Sequence, residues 1–219
     1  MDFEALRVAV IDGDAPAAEA GLRVLLDAGA DPGEILADGL ITAMDVVGGN
    51  FSRGEFFVPE MLTAARAMKA CMAILDPLMV GGERTVAGTV VLGTVKGDVH
   101  DIGKNLVATM LRGVGFDVYD LGVDVPTAHF VEVVRERRPD ILGLSALLTT
   151  TMTVMIDVNK ALEQAGLRND VKVLVGGAPV TAEFAVAIGA DGYASHAGNA
   201  TSRAKELVEA ANSTTGVTT

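Results

Sequence analysis

Two incompatible periodicities meet between Thr89 and Leu111, and this junction limits the possible folds of the 219-residue chain more than any other stretch. Thr89-Val90-Val91-Leu92-Gly93-Thr94-Val95 is an apolar, β-branched run, which reads as a strand. Further on, Ile102, Leu106, Val107, Met110 and Leu111 recur at the three-to-four residue spacing of one helical face. KGDVHDIGKN, residues 96–105, therefore spans a strand-to-helix turn. In an open parallel α/β sheet such turns lie at the carboxyl ends of the strands, where ligands bind. Small residues at Gly97 and Gly103 would let a bulky, flat ligand approach the backbone closely. His100 stands in this turn, two residues after Asp98. That spacing allows the carboxylate to reach one imidazole nitrogen while the other faces a ligand, the arrangement that fixes the tautomer of a metal-ligating histidine and raises its basicity. The plainer alternative is a histidine that caps the following helix or hydrogen-bonds within a polar loop.

The same strand-to-helix alternation continues to the end of the chain. Strands are expected at Gly88–Val95, Asp117–Asp120, Ile141–Ser145, Val171–Val175 and Gly192–Ala194, with helices near 102–113, 127–137, 152–166, 180–188 and 199–211. This pattern predicts an α/β domain over 83–211, a parallel sheet with helices on both faces, followed by a disordered polar tail over 212–219. Residues 1–82 read as helices only. Phe3 to Ile11 forms the first; Asp14 caps the second, which has Pro16 in its first turn and Gly29 after its end. Asp31-Pro32-Gly33-Glu34 opens the third, to about Val47, and Pro59 begins the fourth. Four helices with short connections predict a small bundle. Met61, Ala65, Met68, Met72, Leu75 and Met79 form a helical stripe that reads first as core and second as an adaptable contact surface. Residues 48–58 read as a loop carrying Phe51, Phe56 and Phe57, which either staples the bundle or presents an apolar lid.

Charge and composition exclude several classes of partner. A formal charge of −12 disfavours nucleic acid and anionic membrane surfaces, and no apolar run reaches the ~20 residues of a bilayer span. With no signal-peptide pattern at Met1-Asp2-Phe3-Glu4, the expected location is cytoplasmic. The single cysteine, Cys71, rules out an intrachain disulfide or a cysteine-based zinc site and lies in an apolar helical stretch, where it reads as buried structure.

Two further strand ends accompany His100. Ile141 to Thr151 is an apolar strand that runs into a turn rich in hydroxyls, more of them than one helix cap requires. Val173-Leu174-Val175 ends in Gly176-Gly177, either a plain turn or a place where a side chain would obstruct a ligand. Together, Asp98, His100 and Gly103, then Ser145 and Leu147, then Gly176 and Gly177 resemble the D-x-H-x-x-G, S-x-L, G-G pattern of the cobalamin-binding domain of corrinoid methyltransferases. With GLSALLTTTM and GEFFVPEMLTAARAMK added, the resemblance covers nearly the whole chain. It extends to the small corrinoid proteins of methylamine, methanol and aryl methyl ether methyltransferases and to the cobalamin module of methionine synthase.

The resemblance implies a flavodoxin-like (Rossmann-like) domain preceded by a four-helix cap. It makes His100 the lower cobalt ligand of a base-off, histidine-on cobalamin, with Asp98 as its hydrogen-bond partner. Thr151 stands where methionine synthase has a serine in that relay. It places Gly97, Val99, Asp101, Ile102, Gly103 and Leu147 around the corrinoid, and Ser145 and Thr149 on the displaced nucleotide tail beside Gly176 and Gly177. Asp191-Gly192-Tyr193 falls where the family closes the tail pocket, although Ser195 replaces the aspartate that often follows. The cap would cover the methyl-bearing face through Phe56, Phe57 and Leu62. His129 and His196 match nothing and read as solvated.

The function implied is a methyl carrier. Cob(I)alamin would take a methyl group from a donor bound to a donor-specific methyltransferase and pass it to an acceptor methyltransferase that uses a folate or thiol coenzyme, with a reductive activase as a further partner. The chain is not expected to be catalytic alone, since no second constellation of acid, base or metal ligands is left to activate a donor. Gly81-Gly82 is the expected hinge for cap movement. The rivals are a cobalamin sensor, which usually adds an output domain; a mutase subunit, which needs no methyl-face cap; and a flavin or nucleotide binder, which leaves the Asp98–His100 pair without a purpose.

Overall fold

The computed structural model describes residues 2–79 and 87–215. These fall into two compact units, one comprising residues 1–86 with 112–115 and the other 87–111 with 116–219. The expected hinge at Gly81-Gly82 lies outside the described residues.

The first unit is helical. Helix α1 (Glu4–Ile11) is followed by α2 (Ala15–Asp27), and α3 (Pro32–Glu34) passes without interruption through a π-helical segment (Ile35–Ile41) into α4 (Thr42–Ser52). Helix α5 (Val58–Leu75) ends in a 3-10 turn (Asp76–Met79). Side-chain caps set the starts. Asp14 Oδ1 accepts from Ala17 N at 3.0 Å, Asp31 Oδ1 from Gly33 N at 2.8 Å, and Glu60 Oε2 from Phe57 N at 3.0 Å. The core is formed by Leu6, Val10, Leu22, Ile35, Leu40, Met44, Met61, Met68 and Leu75, all buried, so the methionines at 61 and 68 are core residues. Gly39 sits in the π segment where a Cβ would come within 3.0 Å of Leu6 Cδ2, and Arg7 Nε donates to Asp38 O at 2.7 Å. The third helical rod runs to Ser52 rather than Val47, so Phe51 is helical and the expected aromatic loop shrinks to Arg53–Phe57.

The second unit is a five-stranded parallel sheet in the order β2-β1-β3-β4-β5, formed by β1 (Thr89–Thr94), β2 (Asp117–Asp120), β3 (Ile141–Ser145), β4 (Lys172–Gly176) and β5 (Gly192–Ala194). The helices are α6 (Ile102–Gly113), α7 (Thr127–Arg137), α8 (Thr149–Met152), α9 (Val154–Gln164), α10 (Ala182–Ala187) and α11 (Ala197–Thr215). Right-handed crossovers put α6, which leads outward to β2, on one face of the sheet, and α7, α9 and α10, which lead the other way, on the opposite face. Val91, Leu142, Leu144, Val173 and Val175 pack against Phe130, Val134, Met155, Val158, Leu162 and Ala185 on that second face. The chain reverses its direction of travel between β1 and β3. Their carboxyl ends are thus the topological switch point, where the following loops diverge and leave a crevice.

Three differences from the sequence reading have local causes. The helix expected over 152–166 begins at Thr149 and is divided into α8 and α9. Ile102, counted on the buried face of α6, is 85% exposed, whereas Lys104, paired with Asp120, is 4% exposed. Helix α11 extends through Thr215 into the segment read as tail; residues 216–219 lie outside the described residues. Among the described residues no helix is long and apolar enough to cross a membrane.

Gly93 lies mid-strand in β1, and a Cβ there would sit 2.6 Å from Phe130 Cε1. Gly93→Ala is expected to destabilise the protein by about 1–3 kcal/mol through overpacking, read as a lower urea midpoint at unchanged slope.

Candidate functional site

The turn after β1 is organised by one buried carboxylate. Gly97 adopts φ +83°, and Asp98 N donates to Val95 O at 3.1 Å, turning the Asp98 side chain inward. Asp98 is fully buried, with 0% exposure. Its Oδ1 accepts from His100 N at 3.1 Å and pairs with His100 Nδ1 at 2.7 Å. Its Oδ2 accepts from Leu147 N at 2.7 Å and from Thr151 Oγ1 at 2.6 Å. Burial pushes the carboxyl pKa upward, but the hydrogen bonds from Thr151, the Leu147 and His100 amides and the His100 ring outweigh it and hold the group well below the usual carboxylate range. An ionised carboxylate only accepts hydrogen bonds, so the proton of neutral His100 resides on Nδ1 and the Nε2 lone pair faces away. The His100 side chain is 47% exposed. A half-open imidazole with one nitrogen pinned and the other free to donate a lone pair is suited to hold a metal at a single point. Among the described residues no cluster of three or more histidine, cysteine, aspartate or glutamate side chains could enclose an ion.

Thr151 reaches Asp98 from the first turn of α8, and its added methyl is accommodated, with Cγ2 placed 3.7 Å from where a Gly97 Cβ would stand. Its Oγ1 also lies 3.0 Å from Leu148 O. The hydroxyls of residues 149–151 therefore serve different ends: Thr149 is exposed, whereas Thr151 is buried in the relay.

Several residues that support the turn escaped the sequence reading. Buried Thr94 donates from Oγ1 to His100 O at 3.0 Å. Asp124, at φ 53°, accepts from Gly97 N at 2.7 Å and donates from its own N to Asp98 O at 2.9 Å. Lys96 Nζ lies 3.3 Å from the same carboxylate. Buried Lys104 donates to both Asp120 oxygens and, at 2.8 Å, to Asn105 Oδ1; Asn105 Nδ2 donates to Asp101 Oδ2 at 2.9 Å. The available sequence signal was lysine and asparagine together at the start of an amphipathic helix.

Val99, Leu147 and Leu148 are exposed on the loops after β1 and β3, and Ile102 is exposed at the start of α6. A side chain at Gly103 would meet nothing within 4 Å, so this position is open. Gly177, at φ +130°, is required by packing, because a Cβ there would overlap Ala146 O; at Gly176 it would stand 2.9 Å from Ala194 O. Ser145 is half-buried, beside Gly176 in the β3–β4 register. Tyr193 packs on the cluster containing Val175, while Gly192 lies against Leu207 and Arg203 of α11. Phe57 and Leu62 are exposed and Phe56 half-buried at the start of α5 in the helical unit. His129 and His196 are exposed, His129 pairing with Glu132 and His196 accepting from Asn199 N.

Two family models described as B12 binding domain match the chain, one over residues 88–204 and the other over residues 2–76. Dimethylamine corrinoid protein 1 of Methanosarcina acetivorans is 49% identical over 81% of this chain and 84% of its own length. Trimethylamine corrinoid protein 2 of the same organism is 44% identical over 91% and 93%. Among solved structures, the methanol:cobalamin methyltransferase complex MtaBC from Methanosarcina barkeri superposes with a TM-score of 0.80 at 31% identity, covering 98% of this chain and 80% of that one.

Because the folded-state pKa of Asp98 is depressed, its contribution to stability is present above the unfolded carboxylate value and is lost as pH falls through that value toward the folded one. Asp98→Asn should lower the thermal midpoint at neutral pH, and the gap to wild type should narrow between about pH 5 and pH 3. A gap that does not change with pH would contradict the preferential ionisation of Asp98.

Proposed function

This chain belongs to the B12 binding domain family, and on that premise we propose that it is the corrinoid methyl carrier of a methyltransferase system that uses a small methylated amine. The observation that carries the reading is the buried Asp98 carboxylate with four donors, which leaves His100 Nε2 as an outward-facing lone pair at the switch point of the sheet. Cobalamin supplies a strongly nucleophilic cobalt that can accept a methyl group and release it. The residues present fit that group: His100 Nε2 would be the lower ligand in the base-off, histidine-on mode, Val99, Ile102, Leu147 and Leu148 expose apolar surface at the same strand ends, and Gly103 leaves open space.

The chain's own work is ligation and proton accounting. With Nε2 engaged, the ring's remaining proton would sit on Nδ1, where Asp98, itself held by Thr151, accepts it and fixes the orientation of the imidazole. Ser145 and Thr149, with Gly176 and Gly177, are assigned to the nucleotide tail, and residues 83–211 to holding the cofactor. Residues 1–82 are assigned to covering the reactive face; the exposure of Phe57 and Leu62 supports that role.

A C–N bond must be activated by protonation or polarisation before an amine can leave. That task is assigned to a separate donor methyltransferase, with a second methyltransferase for a folate or thiol acceptor and a reductive activase to restore the nucleophilic state. The dimethylamine and trimethylamine corrinoid relatives support the donor class, and the likeness to MtaBC supports docking on a methyltransferase.

Wild type loaded with cobalamin is expected to give the base-off, histidine-ligated spectrum, and His100→Ala is expected to lose it or to bind about 10–100-fold more weakly. An unchanged spectrum would refute His100 as the ligand. The reduced holo-protein, mixed alone with dimethylamine or trimethylamine, should show no saturable change in cobalt absorbance until the matching methyltransferase is added. Rapid, donor-selective change without it would refute the carrier reading.

A further inference from the structure

The turn that carries His100 is held on one side through the Asp98 side chain, by Leu147 and Thr151. On the other side it is held through its backbone, by Asp124. The Asp124 carboxylate accepts from Gly97 N at 2.7 Å, and the Asp124 amide donates to Asp98 O at 2.9 Å, so one residue grips both ends of the Gly97–Asp98 unit. Gly97 lies at φ +83° with no side chain to restrict it, and a glycine left to itself samples both signs of φ readily. Asp124 supplies the missing restraint. It does so from an unusual conformation, φ 53°, which is uncommon for a residue other than glycine and persists where the surroundings over-determine it. Those surroundings are the Val95–Val125 bridge and the bonds from Thr94 N to Gly122 O and from Val125 N to Thr94 O. Lys96 Nζ, 3.3 Å away, faces the Asp124 carboxylate.

We propose that Asp124 is a positioning residue for His100: by clamping Gly97 and Asp98 it sets the direction in which Asp98 aims the imidazole, and so the strength of histidine ligation. The proposal rests on the reading of His100 as the lower ligand. Rotation about Gly97 would move the Asp98 carboxylate and carry the Nδ1 bond with it, turning Nε2 away from its ligand. Outer-sphere partners of a ligating histidine commonly contribute tenfold or more to metal affinity.

The backbone conformation selects the variants. Asp124→Gly removes the carboxylate yet adopts positive φ without strain and keeps the amide that reaches Asp98 O. Asp124→Asn retains an acceptor for Gly97 N and also tolerates this region. Each full-length protein is loaded with cobalamin, and nitrogen superhyperfine splitting in the Co(II) electron paramagnetic resonance spectrum is measured together with the Co(II)/Co(I) midpoint potential. Asp124→Gly is expected to weaken histidine ligation to Co(II) about tenfold, which for this one-electron couple raises the midpoint by about 59 mV. Asp124→Asn should stay close to wild type in both. Wild-type splitting and potential in Asp124→Gly overturn the proposal, as does an equal loss in both variants, which would trace the effect to charge. If Asp124→Gly does not fold, Gly97 amide exchange in the wild-type protein decides: protection above neighbouring exposed amides supports the clamp, and free exchange overturns it. A wild-type protein that binds cobalamin without nitrogen splitting removes the His100 reading itself and the proposal with it.

Discussion

A buried carboxylate is costly unless its oxygens are filled, and the upper end of this sheet is shaped by meeting that cost. Asp98 accepts two bonds on each oxygen, and the donors come from its own turn and from the turn after β3. The alternative to this network is an unpaired charge in the protein interior, so the loops on either side of the switch point are held in one relative arrangement. The same network fixes the imidazole tautomer. Structure and chemistry at this site are therefore not separable: the bonds that let Asp98 be buried are those that leave Nε2 available.

Much of this was readable from the residues alone, for identifiable reasons. The β-branched run at Thr89–Val95 and the switch to helical spacing located the functional turn, and Asp98 and His100 interact across two residues, well within reach of sequence reasoning. Asp124 was hidden because its bonds to Gly97 and Asp98 cross to a separate connection of the chain, and no local pattern marks an aspartate at positive φ. The burial of Lys104 was hidden because amphipathic spacing assigns lysine to solvent, whereas here the side chain is covered and paired with Asp120, and Ile102 is the residue left outside. The face that Tyr193 takes was not legible because a three-residue strand carries too little alternation to fix its phase.

The helical unit raises the same problem at a different scale. Caps at Asp14 and Asp31 announced the helix starts, but nothing in the composition of Ile35–Ile41 signals a π turn. It follows from tertiary contact, where Gly39 admits Leu6. The continuation of the rod to Ser52 then turned an expected loop phenylalanine into a helical one.

Two of the polar ties beneath the histidine turn share an origin. Asp120 ends β2 and Asp124 lies in the connection just beyond it, and β2 is a four-residue strand at the margin of the sheet, paired on one side only. The Lys104 attachment therefore depends on an edge strand, whereas the Leu147 and Thr151 bonds come from the chain that follows the interior strand β3. The imidazole mount thus draws one set of its ties from the interior of the sheet and another from its margin. Arg137 stacks over Tyr119 of β2, 3.6 Å from the ring centroid, and adds a contact to that margin.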